Sequence, residues 1–144
     1  MQLGMTFFVL YSMICFLLSS YHTRKKNNYF GLTPWFVPLG SFVWADGVML
    51  GLFWTATSIA LLITANWPLA ILVYSLFWTV RSSGEIIYWI HEQFATKKRN
   101  LPHTLFLYRL FPNESVWIGM QLLWQLVLVI SLTADIFLIK QIRI

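Results

Sequence analysis

Arg81 and Glu85 stand four residues apart within an otherwise apolar run from Pro68 to Ile90. On a helix that spacing brings the two side chains onto one face, close enough to form an ion pair. Ionisable groups at membrane depth are expensive to place, and where they occur they mark ion paths, proton relays or packing contacts with a definite partner. Projected at ~100° per residue, Tyr74, Arg81, Glu85, Tyr88 and Glu92 fall within an arc of roughly 60°. In the last apolar run, Gln121, Gln125, Ser131 and Asp135 share an arc of about 120°. The two polar stripes are expected to face each other.

Depth along the helices selects a smaller set. Asp46, Glu85 and Gln121 lie at similar distances from the ends expected to face the cytoplasm, within ~5 Å of one another in depth. Arg81 lies a turn deeper, level with Gln125. The candidate site is therefore a buried polar cluster of Asp46, Arg81, Glu85, Gln121 and Gln125. Asp135 is expected near the outer interface, where a carboxylate is readily hydrated, and is left out of it.

A second set, Tyr88, His91, Glu92 and His103, could act at the cytoplasmic interface. His91 and Glu92 are adjacent, so on a helix they point ~100° apart and do not make the i,i+4 two-histidine arrangement of metal sites. The sequence holds no Gly-rich phosphate loop, nucleophile elbow or CxxC pair, and no metal or cofactor is expected.

The segments that must position these residues read as membrane spans. Of 144 residues, 58% are hydrophobic and 10% charged, against roughly 45–50% and ~25% for an average soluble domain. Four apolar segments stand out, near Leu3 to Ser20, Leu39 to Thr64, Pro68 to Glu92 and Val116 to Ile139. Each approaches the ~20 residues that a helix needs to cross ~30 Å of hydrocarbon. Continuous apolar blocks also argue against a β-barrel, whose strands alternate over ~10 residues. The expected fold is all-α: a polytopic integral membrane protein, one four-helix transmembrane bundle over residues 1–144.

The first run lacks a preceding basic region, and its basic cluster Arg24, Lys25 and Lys26 follows it, so it reads as a retained helix and not as a signal peptide. Residues 29–38, broken by Gly31, Pro34 and Pro38, are expected to lie at the membrane interface. The apolar stretch 102–112 is expected there too, with Lys97, Lys98 and Arg99 against anionic headgroups. Lys and Arg gather in loops 21–38 and 93–115, which places both loops in the cytoplasm and both termini outside. The short turn at Asn66 implies that the second and third helices are antiparallel neighbours. Asn113-Glu114-Ser115 matches a glycosylation sequon but falls in a loop expected to be cytoplasmic.

The net charge of +5 is spread among loops and gives no nucleic-acid face. A lone cysteine, Cys15, permits no internal disulfide and reads as a small packing residue. Three functions fit. The first is a scaffold, accessory or interaction subunit, in an oligomer or larger membrane complex, with the polar cluster as interhelical glue. The second is a small homo-oligomeric proton- or ion-coupled transporter or channel using Glu85 and Asp46. The third is a membrane enzyme acting on a lipid through His91, Glu92 and His103.

Overall fold

Long apolar runs bounded by turn residues give four α-helices among the described residues of the computed structural model, which are 2–95 and 115–142. These are α1 (Gln2–Lys26), α2 (Trp44–Thr64), α3 (Trp67–Phe94) and α4 (Ser115–Ile142). A 3₁₀ helix, Pro34–Leu39, interrupts the α1–α2 connection. The expectations for Lys97, Lys98, Arg99, His103, the stretch 102–112 and the sequon lie outside the described residues.

The helix ends follow local chemistry. Apolar content alone would stop α1 near Ser20, but it continues through Arg24, Lys25 and Lys26, whose positive charges suit a helix C-terminus. Asn27 then turns left-handed at φ 49°, and the Asn28 N–H returns to the His22 carbonyl at 3.2 Å. Likewise α2 begins at Trp44, five residues after Leu39, because Gly40 takes a left-handed conformation at φ 76°. Ala65 closes α2 in the same way, donating to Leu61 O at 3.0 Å. Asn66 then opens α3, its Oδ1 accepting the Leu69 N–H at 3.1 Å.

Three of these helices are long and apolar enough to cross a membrane: α1, α2 and Ser115–Gln141 of α4. The 28 residues of α3 are long enough, but Arg81, Glu85, His91 and Glu92 dilute their apolar character. Burial runs opposite to that of a water-soluble core. Ser12, Cys15, Ser19, Ser41 and Ser82 are fully buried, while Leu3, Phe7, Ile63, Val80 and Ile87 are each more than half exposed. Such a distribution suits a protein surrounded by lipid.

The chain forms two compact units, Met1–Ile71 and Leu72–Ile144, the division falling after the first turn of α3. In the first unit, α1 and α2 run antiparallel. His22 stacks on Trp44 at one end at 4.0 Å, and Phe8 meets Trp54 edge-on deeper along the pair at 5.5 Å. The seam is made of small residues. A Cβ on Gly51 would lie 2.6 Å from Phe16 N, and one on Gly47 would land on Ser19 Oγ. Gly47 and Gly51 thus form a GxxxG contact that lets the backbones approach.

Residues 29–43 fold back along this pair as a short hairpin. Thr33 N–H donates to Phe42 O at 3.0 Å and Trp44 N–H to Gly31 O at 3.1 Å. At its tip, the Tyr11 hydroxyl donates to Trp35 O, and Trp54 Nε1 donates to Leu39 O at 3.1 Å.

Candidate functional site

In the second unit, α3 and α4 run antiparallel. Ser75 Oγ donates to Ser131 O at 3.1 Å and Thr79 Oγ1 to Asp135 Oδ2 at 2.7 Å. About three to four turns beyond Thr79 along α3, Trp89 meets Trp117 at 5.6 Å, and Gln93 Nε2 donates to Gln121 Oε1 at 2.7 Å. Beside Thr79, Trp78 stacks on Trp124 at 6.2 Å. This register sets Ser75, Thr79 and Gln93 of α3 against Ser131, Asp135 and Gln121 of α4.

Arg81 and Glu85 lie in that unit with their side chains partly buried, 26% and 16% exposed, and Arg81 Nη2 stands 2.8 Å from Glu85 Oε1. Trp89 Nε1 donates to the other carboxylate oxygen at 3.0 Å. Both groups therefore sit within a single stretch of α3, with Glu85 receiving a donor on each oxygen. The ion pair spans one helical turn, and the indole lies a turn beyond it on the same face.

The remaining members of the expected cluster are distributed as follows. Gln121 bonds to Gln93, two turns of α3 beyond Glu85. Gln125 is half-buried on the next turn of α4. Asp46 lies in the first unit. Because α2 starts at Trp44, Asp46 falls in its first turn, where Oδ2 accepts the Phe42 N–H at 3.4 Å. A carboxylate in that position is favoured by the helix dipole and by the unpaired N–H groups of the terminus.

Among the second set, Tyr88 packs edge-on against Trp89 at 5.0 Å. His91 is exposed and Glu92 half-buried on the last turns of α3. No group of three or more His, Cys, Asp or Glu side chains suited to a metal ion occurs among the described residues. A crevice lined by Gln2, Met5, Leu61, Leu62 and Ala65 has no room for a water molecule.

Asp135 is the residue that sequence reasoning placed differently. It is 4% exposed, and its Oδ1 has no hydrogen-bond partner among the described residues. Position along α4 suggested hydration, but the antiparallel α3 lays Thr79 over it. Its shared face with Ser131, one turn earlier, was the available signal. The Gly47-x-x-x-Gly51 spacing was likewise legible as a packing motif.

Comparison with family models, curated proteins and solved structures finds no match for this chain.

Proposed function

We propose that this chain is a four-span membrane protein acting as a scaffold or accessory subunit, with its intramembrane polar groups serving to specify helix pairing. The observation that carries this reading is the set of hydrogen bonds from α3 to α4: Ser75 to Ser131 at 3.1 Å, Thr79 to Asp135 at 2.7 Å and Gln93 to Gln121 at 2.7 Å. Within α3, Glu85 is engaged on both oxygens, by Arg81 at 2.8 Å and Trp89 at 3.0 Å, and a carboxylate held in this way is suited to structure more than to handing an ion onward.

In this reading α3 is the fourth span. Insertion of an unpaired Arg and Glu at a helix centre costs on the order of 5–7 kcal/mol, which pairing reduces. Loops 21–38 and 93–115 face the cytoplasm, where Arg24, Lys25 and Lys26, and Lys97, Lys98 and Arg99, lie against anionic headgroups. The exposed apolar faces meet lipid or other members of an oligomer or larger complex.

The transport reading keeps one observation in its favour, the buried Asp135 with Oδ1 unbonded among the described residues. Reconstitution separates the two. The scaffold reading expects no pH-dependent or cation-dependent flux from wild-type proteoliposomes, and expects the double replacement Arg81→Met with Glu85→Met to stay folded. A flux abolished by Asp135→Asn or Glu85→Gln in a folded protein overturns it.

A further inference from the structure

We infer that residues 29–43 form a re-entrant hairpin, which enters the hydrocarbon region beside α1 and α2 and presents Trp35 and Val37 to lipid acyl chains. The inference rests on the proposal that α1 and α2 cross a bilayer, and it concerns a segment that contributes nothing to either span. Its basis is depth, measured along two helices independently. His22 of α1 and Trp44 of α2 stack on one another at 4.0 Å, which sets a common level near the end that carries Arg24, Lys25 and Lys26.

Tyr11 lies eleven residues from His22 along α1, about 16 Å at 1.5 Å per residue. Trp54 lies ten residues from Trp44 along α2, about 15 Å by the same rise. Both side chains donate to the hairpin tip, Tyr11 to Trp35 O and Trp54 to Leu39 O. Allowing about one turn for side-chain reach, the tip sits ~10–15 Å below the His22 and Trp44 level. Half of a hydrocarbon core is ~15 Å. Five residues from Leu39 to Trp44 span at most ~17 Å when extended, so the chain can reach that depth and return.

The backbone of the tip is equipped for such a place. Non-helical backbone is tolerated at membrane depth only when its polar groups are satisfied by protein. Pro34 and Pro38 have no N–H to satisfy. Phe36 N–H donates to Thr33 O at 3.0 Å, Gly40 N–H to Val37 O at 2.8 Å and Ser41 N–H to Phe36 O at 3.3 Å. The Thr33 hydroxyl, 2% exposed, donates to Ser41 O at 3.0 Å. The carbonyls of Trp35 and Leu39 take the Tyr11 and Trp54 donors.

The tip is two-faced. Phe36 and Leu39 are buried against the helices, at 6% and 0% exposure, whereas Trp35 is 83% exposed and Val37 37%. At the inferred depth the surrounding medium is acyl chain, and the exposed face carries an indole and an aliphatic side chain with no charge.

The test is site-directed spin labelling of the full chain in phosphatidylcholine and phosphatidylglycerol liposomes. Single cysteines are introduced at Trp35, Val37, Leu17 and Lys26 in a Cys15→Ser background. Collisions with oxygen and with a nickel chelate report depth. Labels at Trp35 and Val37 are expected to lose nickel collisions and gain oxygen collisions, like Leu17 on α1 and unlike Lys26. If both tip labels match Lys26 while Leu17 reads as deep, the hairpin lies on the surface and the inference fails with the span intact. If Leu17 also reads as aqueous, the spanning proposal fails and takes the hairpin with it. Tip labels shielded from both reagents would mean that protein covers this face, which overturns lipid contact. Because labels can perturb packing, bromolipid quenching supplies a second reading. Mid-chain brominated lipid should quench a smaller share of tryptophan emission in Trp35→Phe than in wild type, and an unchanged share counts against the inference.

Discussion

The α1/α2 seam and the α3/α4 seam solve the same problem by different chemistry. In the first, side chains are removed: Gly47 and Gly51 bring α2 against Ser19 and the Phe16 backbone. In the second, side chains are added: ring pairs and hydrogen bonds connect Trp78 to Trp124, Thr79 to Asp135 and Gln93 to Gln121. Lipid offers apolar side chains little reason to prefer a neighbouring helix over an acyl chain, so packing and polar contacts must supply specificity. Close approach gives dispersion over a long seam, whereas polar contacts concentrate the energy at a few points. The two seams should therefore respond to mutation in different ways, one to added volume and the other to lost partners.

The largest effect is expected from Gly51→Leu. Its Cβ alone would come within 2.6 Å of Phe16 N and 2.8 Å of Phe16 Cα, both backbone atoms. Separating the helices forfeits the seam, and a loss of about 3 kcal/mol or more is expected. Gly84 is the control, since a Cβ there meets nothing within 4 Å. Gly84→Ala should be neutral or stabilising by up to about 1 kcal/mol, through helix propensity. Unfolding in mixed micelles measures both. Equal sensitivity at the two glycines would remove the distinction between a seam glycine and a surface one.

The next effect belongs to Arg81 and Glu85. With side chains 26% and 16% exposed, each single replacement by Met leaves the other charge without its partner. A loss of about 2–4 kcal/mol is expected for each single, with the double recovering to within about 1 kcal/mol of wild type. Thermal unfolding of the four proteins in one detergent gives the cycle. If the double is as unstable as the sum of the singles, the two groups act separately and the pairing account of α3 is lost.

How far the sequence disclosed this arrangement depends on the range of the contact. The four-residue spacing of Arg81 and Glu85 places them together on any helix, so their proximity was legible locally. Asn66 and the following Pro68 marked the start of α3 for the same reason. By contrast, the start of α2 was misjudged because Leu39 to Val43 are apolar. What withholds them from the helix is the left-handed Gly40 and the pull of Tyr11 and Trp54 on the hairpin, and these are nonlocal. Asp135 was judged by its distance along α4, but its burial depends on Thr79, 56 residues away. The polar content of α3 was visible from the start, yet hydropathy alone sets it apart from the three more apolar helices.

Thr79→Val tests whether the second seam relies on partners. It nearly preserves volume but removes the donor to Asp135 Oδ2, leaving a carboxylate 4% exposed with neither oxygen hydrogen-bonded among the described residues. The expected loss is about 1–2 kcal/mol, at the upper end of interhelical hydrogen bonds in membranes. Asp135→Asn combined with Thr79→Val should cost less than the two changes added together. Strict additivity would show that the hydroxyl and the carboxyl do not depend on each other.

Ser12→Ala asks the matching question of the first seam and should give the smallest response. Ser12 is fully buried, and its Oγ accepts from Thr55 Oγ1 at 3.1 Å. Thr55, however, also donates to Gly51 O at 2.7 Å within its own helix. Removing the Ser12 hydroxyl therefore leaves Thr55 with an acceptor, and Ser12 itself bonds to Val9 O at 2.9 Å. Alanine keeps the small size on which the close approach depends, so the change should stay below about 0.6 kcal/mol. Ser12→Ile, by contrast, adds volume to the same seam and should cost about 1–3 kcal/mol. If alanine proves as damaging as isoleucine, the hydroxyl matters more than the size, and the two seams are built on the same chemistry after all.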